Sequence, residues 1–148
     1  MTSAMRGMCM VDEVLLNKAA IIERCVARAR EEYECDRATF ADSFTRQDAA
    51  ILNVQRACEA ALDMGHHVIR RAKLGLPQSS RDVFTLLAQA NWLEPRLADS
   101  MKRMVGFRNI AVHEYQALQL PITVNIIESH LDDFLAYARQ IVLHDAAQ

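Results

Sequence analysis

The run TRQDAAILNVQRACEAALDMGHHVIRRAK, Thr45 to Lys73, places Ile51, Val54, Cys58, Ala61, Leu62, Val68 and Ile69 on one stripe at helical spacing, with no proline inside it. It predicts a long amphipathic helix starting near Thr45, whose spacing to Asp48 approximates a capping signal. Gly65 stands inside that helix at a cost of about 1 kcal/mol relative to alanine, so a close crossing with another helix is expected there. The adjacent His66 and His67 point about 100° apart and cannot serve one metal as an i, i+4 pair can. One packed and one exposed histidine is the expectation.

The neighbouring segments repeat the pattern. From Val11 to about Glu34, Leu15, Ala19, Ile22, Val26 and Ala29 recur at helical spacing, and the acidic end (Glu31, Glu32, Glu34, Asp36) opposes the helix dipole, so the chain is expected to leave the helix near Cys35 and Asp36. A linker containing Phe40, Asp42 and Ser43 leads to the central helix, which Gly75 and Pro77 end. Ser79 and Asp82 form a capping box for a short helix reaching about Ala90, and Trp92 and Leu93 cover the next corner. Pro95 opens a further helix with Leu97, Met101, Val105 and Val112 as its stripe, and Pro121 opens a last one burying residues from Ile122 to Val142. The expected fold is all-α, an antiparallel four- to five-helix bundle in a single domain spanning residues 1–148.

Composition agrees: the 148 residues are 51% hydrophobic with 4 Gly and 3 Pro, too few turn formers for a strand-rich chain. A net charge of -2 offers no global reason to bind nucleic acid, so any such contact must be local. The basic candidates are Arg70, Arg71 and Lys73 in one cluster and Lys102, Arg103 and Arg108 in another; solvated helix faces explain the first equally well. Cys9, Cys25, Cys35 and Cys58 form no Cys-x-x-Cys pair, so reduced thiols are expected rather than a zinc site or disulfides. No stretch is long enough to span a bilayer and the first residues lack a signal peptide's apolar core, which makes the cytoplasm the expected location.

The chemistry concentrates in Met104-Val105-Gly106-Phe107-Arg108-Asn109-Ile110-Ala111-Val112-His113-Glu114-Tyr115. A guanidinium grips phosphoryl oxygens through a fixed fork, and an imidazole moves protons near neutral pH. Arginine followed five residues later by histidine is a weak pattern by itself, and Arg139 to His144 repeats it in the last helix by coincidence. Residues five apart also lie about 140° apart on a straight helix, so Arg108 and His113 share a pocket only if the helix ends or bends near Val112, or if two copies meet across a two-fold axis. The symmetric dimer is the favoured arrangement. On pattern alone, Arg108 reads equally as a surface ion-pair former and His113 as a satisfied, semi-buried histidine.

The same run resembles the signature of the HEPN superfamily, in its HepT-like ribonuclease toxin branch, where Arg-Asn-x-x-Val-His-x-Tyr follows Met-x-Gly-Phe. Further matches are Ala61 to His67, Gly75-Leu76-Pro77 with the Ser79 box, Leu86-Leu87, and Leu131-Asp132-Asp133-Phe134. The resemblance implies a helical homodimer whose two motifs line one cleft, RNA endonuclease activity that needs no metal or other cofactor, and the toxin role in a type VII-like toxin–antitoxin pair. It implies Arg108 on the scissile phosphate, His113 as general acid or base, Asn109 in support, and Tyr115 as the residue adenylylated by a minimal, MntA-like nucleotidyltransferase antitoxin. A reading of another class stays open: a non-catalytic helical subunit that docks a nucleotidyltransferase or nucleotide, which the net acidity fits slightly better.

Overall fold

The computed structural model describes residues 12–110 and 116–148. Among them the chain forms helices α1 (Glu13–Glu34), α2 (Phe44–Ala72), α3 (Ser80–Gln89), α4 (Pro95–Ile110), α5 (Gln116–Ser129) and α6 (Leu131–Ala146), a 3₁₀ helix over Arg37–Asp42, and no strand. The all-α expectation holds. Helices α1 and α2 pack along their lengths, α6 lies against α1 and reaches α2, and α3 and α4 pair beside α2. No helix of the described residues is long and apolar enough to cross a membrane.

The stripe of α1 is buried as its spacing requires, with Leu15, Ile22, Val26 and Ala29 in the core beside Cys25 and Tyr33. Asp12 caps its start by accepting from the N–H groups of Val14 at 3.0 Å and Leu15 at 3.3 Å. Its acidic end stops at Glu34, where Glu32 pairs with Arg28 at 2.5 Å and Glu34 with Arg37 at 3.5 Å.

The expected linker is instead structured, because two side chains from the start of α2 reach back to satisfy it. The Arg46 guanidinium donates to the carbonyls of Glu32 at 2.9 Å, Tyr33 at 3.3 Å and Asp36 at 2.6 Å, and to Thr39 Oγ1 at 2.8 Å. These include carbonyls that the end of α1 leaves without helical partners. The Gln47 amide donates to the carbonyls of Phe40 at 2.9 Å and Ala41 at 3.0 Å, while Phe40 is buried edge-on against Tyr33.

Helix boundaries differ from expectation at three points. The cap of α2 is Ser43, not Thr45: its hydroxyl accepts from the Arg46 N–H at 3.3 Å. At the other end the left-handed residue is Lys73 (φ 56°), two positions before Gly75. The third concerns the last helix. Pro121 lies inside α5 rather than opening a helix, and the chain breaks at His130 before α6 begins. The break is held by side chains: Asp133 accepts from Ser100 Oγ at 2.5 Å and meets His130 Nδ1 at 3.2 Å. Elsewhere the expected signals act as read: Ser79 caps α3 through the Asp82 N–H at 3.2 Å, Trp92 and Leu93 are buried, and Pro95 begins α4. Leu97, Met101 and Val105 form the buried stripe of α4, and Val112 lies outside the described residues.

Gly65 makes the crossing expected of it. A Cβ there would fall 2.3 Å from Val83 Cγ1, 3.2 Å from Tyr137 Oη and 3.3 Å from Leu87 Cδ1, so α2, α3 and α6 converge on a point that has no room for a methyl group. The Tyr137 hydroxyl donates to the Ala61 carbonyl at 2.7 Å, and complete burial pushes its phenol well above the ordinary range. Gly65→Ala is expected to lower stability by about 1–3 kcal/mol through overpacking, and Val83→Ala to recover part of that loss in the double variant, measured by urea unfolding.

His66 and His67 are both partly buried rather than split between core and solvent, and His67 meets Asp12 at 2.7 Å. Arg71 pairs with both Asp12 and Asp145, so this member of the first basic cluster ties α1, α2 and α6 together. Burial opposes ionisation of Asp12, but the hydrogen bonds from His67 and the Leu15 N–H, with the charges of His67 and Arg71, outweigh it and hold the carboxyl below its usual 3.8. A depressed carboxyl stabilises the fold fully above its unfolded pKa and loses that contribution as pH falls through the folded value. The stability gap between wild type and Asp12→Asn, followed by urea unfolding, is therefore expected to be present at pH 5 and to shrink as pH falls below about pH 4.

Candidate active site

Arg108 occupies the last turn of α4, where a cation complements the exposed carbonyls of the helix end. Its guanidinium donates through Nη1 to Glu59 Oε1 on α2 at 2.8 Å and through Nη2 to Ser80 Oγ on α3 at 3.3 Å. The arginine side chain is 24% exposed and Glu59 is 57% exposed. An ion pair this open contributes little to stability, on the order of 0–1 kcal/mol, so the fork is positioned without being committed. An anion of matching geometry can take Glu59's place.

The ground beneath the fork is rigid. Cys58, next to Glu59 in α2, donates its thiol to the Met104 carbonyl of α4 at 3.3 Å, and burial pushes that thiol up to about 12 against the opposing charge of Arg108. Met104, Val105 and Phe107 are buried around it. Gly106 is close to Arg81 of α3: a Cβ there would lie 3.1 Å from the guanidinium. Arg108 thus reaches from α4 to the first turn of α3, and Arg81 reaches from that turn back to α4.

Of the four residues singled out in the sequence, Arg108 is placed by these contacts. Asn109 lies on the backbone of the last turn of α4, while His113 and Tyr115 lie outside the described residues, between the end of α4 at Ile110 and the start of α5 at Gln116. Glu59, Ser80 and Arg81 were not foreseen, because they meet α4 from positions remote in sequence and no local spacing announces them. Among the described residues no group of three or more His, Cys, Asp or Glu side chains is placed to hold a metal ion.

The sequence profile for the family described as Ribonuclease HepT-like matches residues 22–141, from the middle of α1 into the second half of α6. The chain belongs to the HepT-like ribonuclease family. It is 50% identical over 124 residues to the mRNA nuclease HepT of Shewanella oneidensis, covering 84% of this chain and 92% of that protein. It is 28% identical over 102 residues to the tRNA nuclease HepT of Aphanizomenon flos-aquae, covering 69% of each. Among solved structures it is similar to the tri-AMPylated Shewanella oneidensis HEPN toxin in complex with MNT antitoxin, with a TM-score of 0.83 and 48% identity over 88% of this chain and 97% of that one. The HepT-like resemblance read from Met104 to Tyr115 and its flanking matches is therefore correct.

The contact of α2 with α4 that carries Arg108 has a direct chemical readout. In the native protein at mildly alkaline pH, exposed Cys35 is expected to take up an alkylating reagent readily, and Cys58 only on unfolding, as read by peptide mass mapping.

Proposed function

We propose that this chain is the toxin of a type VII-like toxin–antitoxin pair, an RNA endonuclease acting in the cytoplasm and restrained by a nucleotidyltransferase antitoxin. The observation that carries this reading is the 50% identity to an mRNA nuclease over nearly the full length of that protein, with Arg108 presented as an open fork at the end of α4. The whole of 1–148 is taken as one HEPN-like domain, paired with a second copy so that two motifs share a cleft.

The chemistry follows from the residues. The 2′-oxygen of the ribose attacks the adjacent phosphorus, the bond from phosphorus to the 5′-oxygen breaks, and the leaving oxygen needs a proton. Arg108 holds the phosphate and stabilises the charge that grows on its oxygens. His113, supplied by the shared cleft, takes the 2′ proton or delivers the leaving-group proton, work suited to an ordinary imidazole. Asn109 supports His113, which follows it by four residues in the sequence. Because the nucleophile is already part of RNA, no metal-activated water is required.

Restraint is assigned to Tyr115. The solved toxin similar to this chain is AMPylated and bound to an MNT antitoxin. An adenylyl group on Tyr115 would add a phosphodiester charge and a base near Arg108, compete for its guanidinium and fill the cleft.

RNA cleavage by the purified chain, with Tyr115 verified unmodified by intact mass, tests the reading. Cleavage is expected to persist in EDTA, to fall roughly 10²–10³-fold in Arg108→Ala and roughly 10²–10⁴-fold in His113→Ala, with both variants folded. Activity abolished by EDTA and restored by a divalent metal overturns the metal-independent mechanism. An undiminished rate in His113→Ala overturns the proton-transfer role. No cleavage of a broad RNA panel by unmodified dimer transfers the assignment to a non-catalytic subunit that docks the nucleotidyltransferase.

A further inference from the structure

Beside Arg108, along the last turns of α4, lies a second opening of about 310 Å³ between α3, α4 and α5. Its polar wall is made by Arg81, Arg103, Asn125 and His130, and its apolar wall includes Ile122 and Phe107. No carboxylate lines it among the described residues, and neither Arg81 nor Arg103 has a carboxylate partner among them, in a chain whose net charge is -2. His130 is oriented by Asp133, which meets its Nδ1 at 3.2 Å and is itself held by Ser100. That carboxylate is engaged at Nδ1, on one edge of the ring. Ile122 is 39% exposed, an apolar side chain left open to solvent beside two guanidinium groups.

Gly106 sets the geometry. Its missing side chain lets the Arg81 guanidinium lie close to the α4 backbone, two residues before Arg108. Arg108 reaches the adjacent residue Ser80 at 3.3 Å, so both arginines come together where the first turn of α3 meets the last turn of α4. Two guanidinium groups without a carboxylate partner among the described residues, beside an exposed apolar wall, suit a phosphate carrying a base, and a neighbouring site for the scissile phosphate suits a strand rather than a free nucleotide.

We infer that this cleft is a second RNA contact, in which Arg81 and Arg103 hold a backbone phosphate flanking the scissile one and Ile122 supports a base. The inference rests on the ribonuclease reading for its substrate class. Its residues position the strand and take no part in bond breaking. Loss of the pair therefore acts on binding, whereas loss of Arg108 acts on the chemical step.

The test uses the full chain and a short single-stranded oligoribonucleotide in two forms, cleavable and blocked by 2′-O-methyl groups. The double variant Arg81→Gln, Arg103→Gln is compared with Arg70→Gln, an exposed charge loss on α2. The double variant is expected to raise KM and the Kd of the blocked strand about tenfold, with kcat within about twofold of wild type. The slope of log affinity against log salt is expected to flatten by roughly 0.7 for each phosphate that is no longer neutralised. Arg70→Gln leaves all three close to wild type, and thermal unfolding verifies that each variant is folded. A double variant indistinguishable from Arg70→Gln, or one that loses kcat at unchanged KM, overturns the inference and leaves the ribonuclease reading standing. A wild type that binds the blocked strand with the expected variant effect but cleaves nothing overturns the ribonuclease reading and leaves the subsite standing. A wild type that neither binds nor cleaves overturns both.

Discussion

The absence of a side chain at Gly65 governs the placement of most of what surrounds it. Val83 and Leu87 of α3 and Tyr137 of α6 occupy the space a Cβ would need, so α3 sits directly on α2 instead of a side-chain layer away. The position of α3 then decides where its first turn falls, and that turn carries Ser80 and Arg81. Ser80 receives Arg108, and Arg81 lies over Gly106. Two glycines, one in the core and one at the edge, thus set both arginines through backbone proximity.

Electrostatics around this edge are arranged by cancellation elsewhere. Arg71 is bound to two aspartates, Arg46 to carbonyls at the end of α1, and Arg28 and Arg30 to nearby acids. The acidic balance of the chain therefore says little about the region between α3, α4 and α5, where positive charge stands without such partners among the described residues. Average charge argued for a non-catalytic docking subunit; the local distribution argues for an anionic ligand.

What could be read from the sequence was what sequence encodes locally. The stripes of α1 and α2, the Ser79 cap, the Trp92 corner and Pro95 depend on residues a few positions apart, and Gly65 declared itself by standing in an otherwise uninterrupted apolar pattern. The misplacements occurred where a distant side chain overrides a local preference. Arg46 and Gln47 organise a stretch that looks like linker, and Ser100 from α4 helps fix the break at His130 that Pro121 had obscured. Lys73 takes the left-handed turn even though a glycine stands nearby. At the site, Arg108 was visible through its motif, but its partners Glu59 and Ser80 are 49 and 28 positions away and no periodicity points to them.

The clasp made by Arg46 also has a meaning for how the chain finds its fold. Its bond to the Glu32 carbonyl closes 14 residues, whereas the bond from Arg30 that brings α6 onto α1 closes 102. Loop-closure entropy grows with the logarithm of loop length, so the longer closure costs about 2 kcal/mol more before any packing compensates it. The α1–α2 hairpin is thus the cheapest large surface for the chain to assemble, and it offers α6 a prepared template to return to.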